Sequence, residues 1–302
     1  MKYLKTAFLA LLLYPFLSFT AHAQDEETAP ADTSYWSTNG TFNTTITQIG
    51  LSNWQGGGEP SIAVAGLFNV EANYRRARDR WRNRLTAGFG IIRQGEQQDF
   101  RKSDDEINLV SNYTRNINQK WGFSSILNFR SIMAPGYRYF QDDDGVEQRE
   151  EIGNFMAPAY LTLSAGFSYT EENFSITASP IAGRSTFVLD ESLSNAGAYG
   201  VDPGERFRQE VGVNLNIDVD YDIRENISLK SWAIFFADYQ ALTKVKVDWR
   251  LQLTIAATKY LSTNITTHLI YDEDINITRS DGSVGPATQF KHVIGLGMNF
   301  KF

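Results

Sequence analysis

The sequence predicts an all-β fold: a transmembrane, antiparallel, up-and-down β-barrel of about 12 strands. Three observations carry that expectation. The last 13 residues alternate without a break. Phe290, His292, Ile294, Leu296, Met298, Phe300 and Phe302 fall on one face, and Lys291, Val293, Gly295, Gly297, Asn299 and Lys301 on the other. A period of two marks a strand. Connections between strand-like segments fall into two classes, short and long, that take turns along the chain. Finally, the chain opens with an export segment and then offers no run of 18 apolar residues, so any spanning falls to strands.

Residues 1–23 read as a secretory signal peptide. Lys2 and Lys5 form the basic start, Ala7 to Phe19 the apolar stretch around Pro15, and Ala21-His22-Ala23 the cleavage site. Cleavage after Ala23 leaves 26 basic against 35 acidic residues, a net charge of −9, so nucleic acid is not an expected partner. Cysteine is absent, which removes disulfides, thiolate metal sites and a cysteine nucleophile. Residues 24–34 are acidic and lack large apolar groups. They are expected to form a disordered periplasmic tail ahead of a barrel over 35–302.

Twelve segments follow, at roughly 36–48, 60–76, 80–96, 105–117, 119–133, 155–170, 173–188, 207–222, 226–240, 245–255, 261–275 and 288–302. The eighth is the clearest. Phe207, Gln209, Val211, Val213, Leu215, Ile217, Val219 and Tyr221 oppose Arg208, Glu210, Gly212, Asn214, Asn216, Asp218, Asp220 and Asp222. In the tenth, Val245, Val247, Trp249, Leu251, Leu253 and Ile255 oppose Lys246, Asp248, Arg250, Gln252 and Thr254. Most segments exceed the soluble norm of about 5–6 residues and suit a tilted membrane crossing. Links after the even-numbered segments are short. Those after segments one, three, five, seven and eleven are long, at 50–59, 97–104, 134–154, 190–205 and 273–287; only the ninth link, 241–243, departs. Short periplasmic turns and long external loops produce this alternation when both termini lie in the periplasm. Val211, Leu251 and Leu296 would meet lipid. Trp36, Trp81, Trp121, Tyr260 and Phe302 would mark the periplasmic girdle.

Asn53-Trp54-Gln55-Gly56-Gly57 in the first long loop resembles the NW-x-GG signature of an uncharacterised outer-membrane family from Bacteroidota, a domain of unknown function. Asn154-Phe155-Met156-Ala157-Pro158-Ala159-Tyr160, Val247-Asp248-Trp249 and Tyr271-Asp272-Glu273-Asp274 agree in order, while Ser131-Ile132-Met133 departs from the polar Thr-Gln pair expected there. The resemblance spans roughly Tyr35 to the C-terminus. It implies the outer membrane of a Gram-negative bacterium and a barrel fold. It brings no catalytic residue, cofactor or substrate. Surrounding lipid is the expected partner, together with the barrel assembly machinery through the strand ending at Phe302.

The residues leave three functions open. The first is a narrow passive channel for small polar solutes. Arg75, Arg82 and Arg84 are expected on one lumen wall and Asp218, Asp220 and Asp222 on the opposite one, since strands two and eight face each other in a ring of twelve. An open lumen would feel a transverse field between these walls. A closed one would pair the charges. The second is a plugged structural or adhesive barrel that binds through its long loops, with Asn53, Trp54 and Gly57 in the first. The third is a hydrolase with His268 as its base, for which no motif is present. No metal is expected. Asp218, Asp220 and Asp222 stand about 6.5–7 Å apart along one strand, and Asp142-Asp143-Asp144-Gly145 lacks EF-hand spacing.

Overall fold

The computed structural model describes residues 35–50, 59–95, 99–258, 261–279 and 283–301. Segments 1–23 and 24–34 lie outside them, as do Asn53, Trp54, Gly57, Tyr260 and Phe302. The strands, in chain order, are β1 (Trp36–Ile49), β2 (Ser61–Arg76), β3 (Asp79–Gln94), β4 (Arg101–Asn116), β5 (Trp121–Ser131), β6 (Gly136–Gln141), β7 (Glu147–Gly153) and β8 (Ala159–Thr170). There follow β9 (Phe174–Phe187), β10 (Phe207–Arg224), β11 (Ile227–Asp238), β12 (Val245–Ala256), β13 (Leu261–Tyr271), β14 (Asn276–Thr278), β15 (Val284–Pro286) and β16 (Gln289–Lys301).

Twelve of these close into an antiparallel barrel in the order β1-β16-β13-β12-β11-β10-β9-β8-β5-β4-β3-β2. The ring is joined by the register of Thr41–Thr44 on β1 against Met298–Lys301 on β16. Closure pairs the strand edges that an open sheet would leave to solvent or lipid.

The distribution of apolar groups is inverted relative to a soluble protein. Large apolar side chains stand exposed on the outer surface, among them Val211 (54%), Leu163 (52%) and Ile181 (70%). Most buried positions inside the barrel are polar. Ser124 donates to Ser168 at 2.9 Å, Asn128 to Asn108 at 3.0 Å and Thr86 to Asn69 at 2.9 Å. Trp36 and Trp81 pack 5.7 Å apart at the short-turn end, and Trp121 sits 5.1 Å from Tyr169 there. This is where the sequence places an aromatic girdle.

Two external links are more ordered than the sequence pattern implies. The 134–154 link forms the hairpin β6–β7, held by the Arg138–Glu150 pair. Its acidic tip is a turn: Asp142 accepts from Val146 N at 2.8 Å and Gln148 Nε2 at 2.8 Å, and these bonds hold its carboxyl below the usual range. The 273–287 link contains the small pair β14–β15. Strand four begins at Arg101 rather than near 105, past a bulge opposite Gly90 and Ile91.

Strand β9 carries the bulge with the largest consequence. Across it, Ala165 pairs Ile181 but Phe167 pairs Ala178. Pro180 lies within it and has no N–H for a ladder bond. The extra residue switches the inward parity. Below the bulge Thr177 and Ser179 are buried; above it Ala182, Arg184 and Thr186 are. Arg184 therefore points into the lumen, where uniform alternation would have sent it outward.

Candidate functional site

The lumen is crossed by ion pairs at several heights. At the short-turn end Arg84 of β3 bonds Glu71 of its neighbour β2 at 3.3 Å and lies 3.7 Å from Asp218 of β10. Strands β3 and β10 stand five positions apart in the ring. Lys230 of β11 reaches Glu71 at 3.4 Å and Asp220 at 3.5 Å. Each predicted wall thus carries a counter-charge of its own, Glu71 among the arginines and Lys230 beside the aspartates. Of the six residues expected to line the walls, Arg84 and Asp218 meet across the barrel. Arg75, Arg82 and Asp222 are exposed and make no ion pair within 4 Å among the described residues.

Nearer the long-loop end the crossing is denser. Arg250 of β12 donates to Glu106 of β4 at 2.7 Å, and these strands stand six positions apart, the full width of the ring. Asp248 bonds Arg130 of β5, accepts from His268 Nε2 at 2.9 Å, and lies 3.5 Å from Arg250. Above it, Arg184 donates to Asp272 at 2.7 Å and approaches Glu210 at 3.6 Å. Glu210 takes Lys246 Nζ on both oxygens, at 2.7 and 2.8 Å. Arg208 holds Asp274 at 2.8 Å. Tyr160 lies between the guanidinium groups of Arg130 and Arg184, 4.9 and 4.7 Å from its ring centre.

The centre of the upper layer is more deeply buried than the β10–β11 side of the lower one. Side-chain exposure is 3% at Glu210, 4% at Asp272 and 5% at Arg250. It rises to 31% at Asp218, 37% at Lys230 and 64% at Asp220. Charges that deep persist only when paired.

A small apolar cap covers the densely paired end. Ala157, Val188, Leu193 and Val201 form its core, with Ala198 and Tyr199 against it. Helix α1 (Glu191–Asn195) lies in this cap. Arg208 ties it to the lumen network by donating to Gly200 O at 3.0 Å, and Tyr199 donates to Ile152 O. Burial pushes the Tyr199 hydroxyl up to about 12. Burial opposes the charge on Asp274, yet Arg208 and Lys246 outweigh it and hold the carboxyl below its ordinary value.

Asp190 caps α1 by accepting from Ser192 N at 3.0 Å and Leu193 N at 3.2 Å, with Ser192 Oγ as a further donor. These bonds, the Ser192 hydroxyl first, lower its carboxyl value. A depressed folded-state value adds stability above the unfolded value of about 3.9, and this is lost as pH falls through the folded one. Hydrogen-exchange protection at Ser192 and Leu193 is accordingly expected to drop below about pH 4, while the barrel strands stay protected.

His268 spends its Nε2 on Asp248, and no hydroxyl hydrogen bonds to its ring among the described residues. No group of three or more His, Asp or Glu suited to a metal occurs among the described residues. The lumen residues that the sequence reading passed over are Glu106, Arg130, Arg184, Glu210, Asp248, Arg250 and Asp272. Glu210, Asp248 and Arg250 already stood on the polar faces of segments eight and ten. Their partners became visible only with the ring order.

Residues 46–137 match a family model described as "Protein of unknown function (DUF3078)". That span runs from the end of β1 into the β6–β7 hairpin. No curated protein matches the chain. Among solved structures the chain is similar to the NanC porin, at 8% identity and a TM-score of 0.40 over 87% of this chain and all of that one. It is also similar to the translocator domain of the autotransporter NalP from Neisseria meningitidis, at 10% identity and a TM-score of 0.39 over 99% and 98%. A third is the β domain of the Bordetella autotransporter BrkA, at 8% identity and a TM-score of 0.36 over 89% and 100%.

Proposed function

We propose that this chain is an outer-membrane β-barrel of a Gram-negative bacterium, acting as a narrow conduit for small polar solutes that rests closed at its extracellular end. Its export by residues 1–23, with cleavage after Ala23, belongs to the same proposal. So do the Bacteroidota type and a role for the Asn53-Trp54-Gly57 loop. Membrane placement is supported by the exposed apolar exterior, since a soluble monomer rarely exposes contiguous apolar area beyond a few hundred Å². The long-loop end then faces outward.

The gradient of burial carries the functional reading. The lower lumen admits solvent to Asp218, Lys230 and Asp220, whereas Glu210, Asp272 and Arg184 at the centre of the upper ion layer, and the core of the cap, are buried. Asn, Ser and Thr side chains line the passage between, and suit polar cargo. The second reading, a plugged barrel that binds through its loops, is favoured by the ordered hairpin and cap. A hydrolase is disfavoured because no hydroxyl hydrogen bonds to the His268 ring among the described residues.

Single-channel recording in planar bilayers tests the choice. The refolded protein is expected to be silent or to open rarely, and to conduct stepwise once the upper layer is weakened. A large, steady open conductance in the unaltered protein would overturn the closed end. Silence in both forms would remove the conduit and leave the loop-binding reading.

A further inference from the structure

Outside the barrel, the β6–β7 hairpin leans over the rim of β3 and β4 and encloses a cleft of about 860 Å³. One wall is apolar and continues the outer surface of the barrel. It consists of Phe89, 43% exposed on the lipid-facing side, with Ile91 and Phe100. The opposite wall belongs to the hairpin and presents Tyr137, Tyr139 and Arg149. The charged groups stand over aromatic rings. Arg101 lies 3.9 Å from the Tyr139 ring centre, Arg149 4.8 Å from Tyr137, and Arg93 flanks the cleft 5.2 Å from Phe100.

Stacking holds a guanidinium flat while leaving its N–H fork free for a planar or tetrahedral oxyanion. Arg101 shares its charge with Glu147, and Asp99 also lines the cleft. Among the described residues, no carboxylate lies within ion-pair distance of Arg93 or Arg149. The cleft thus joins a lipid-facing apolar floor to pre-oriented guanidinium groups at the extracellular edge. That polarity matches an amphiphile whose chains lie along the wall and whose anionic head stands at the rim.

We infer that this cleft binds the phosphorylated headgroup of an acylated sugar lipid in the outer leaflet. The assignment rests on the outer-membrane reading above, which puts this rim at the outer leaflet. A free phosphate ion offers the same oxyanion but has no use for Phe89 and Ile91.

The test is native mass spectrometry of the refolded full chain in neutral-detergent micelles. Three probes are used: diphosphoryl lipid A, the same lipid with its phosphates removed, and inorganic phosphate. The diphosphoryl lipid should stay bound, and both other probes should bind at least ten-fold more weakly. The double variant Arg93→Gln/Arg149→Gln, altered only at exposed positions, should lose binding about ten-fold. Phe89→Ala should weaken the lipid and leave phosphate unaffected. Equal retention of inorganic phosphate, or undiminished lipid binding in the double variant, overturns the proposal. Heat-modifiable migration on a gel reports the barrel separately. A folded barrel that retains no lipid refutes the cleft alone, and a chain that does not fold in micelles refutes the membrane reading as well.

Discussion

Glu210→Gln is expected to destabilise the folded barrel by about 3–5 kcal/mol, the usual cost of removing one partner from a buried ion pair. The substitution keeps the shape of the side chain, so no cavity is made and only charge is lost. Glu210 is 3% exposed, receives Lys246 on both oxygens and stands 3.6 Å from Arg184 and 3.5 Å from Arg208. A glutamine amide would turn its own donors toward those cations. Three positive groups would then share Asp272 and Asp274. The midpoint of denaturant unfolding in micelles measures the effect. If the proposed conduit is right, stepwise conductance should appear in the same variant, because the layer it loosens lies at the capped, long-loop end. The control is Asp220→Asn. With 64% of its side chain exposed, it belongs among surface pairs worth about 0–1 kcal/mol. Equal effects of the two substitutions would mean that the upper layer is not what seals the barrel.

Gly166→Ala is the second large effect. A Cβ built on Gly166 would lie 2.0 Å from Ala178 O and 2.5 Å from Ser179 Cα. Both atoms are backbone in the β9 bulge, so no side chain can swing aside. Relief would require the bulge itself to move. The expected loss is at or above the top of the range of about 1–3 kcal/mol for overpacking. Gly183→Ala is the matched control on the same strand pair, where the nearest atom to a new Cβ is Gln209 Nε2 at 4.0 Å. It should be close to neutral. Refolding yield and heat-modifiable mobility compare the two. The consequence reaches the lumen, because the same bulge aims Arg184 at Asp272.

Much of this molecule follows from its local sequence. A strand between lipid and water must alternate, so the faces of β10 and β12 could be read from Val211 and Leu251 on one side and Asp218 and Arg250 on the other. Loop length likewise told the two ends apart. Arg84 and Asp218 were expected as inward charges for the same reason, and they lie 3.7 Å apart. The order within the external links was not, because the β6–β7 hairpin depends on cross-strand pairs such as Arg138 with Glu150 rather than on a long apolar face.

The bulge at Pro180 shows where local pattern stops being enough. One inserted residue switches the parity of β9, and the period-two rule then misplaces every side chain above it. Pairing across the lumen is a further step removed. Arg250 meets Glu106 across 144 positions of sequence, and Lys291 meets Asp104 across 187. Away from that bulge the sequence by itself determined which side chains face inward, because that depends on a repeat of two residues. Only the closed ring decided which inward charges meet, because its strand order brings distant strands face to face, and a buried charge is stable only beside its counter-charge.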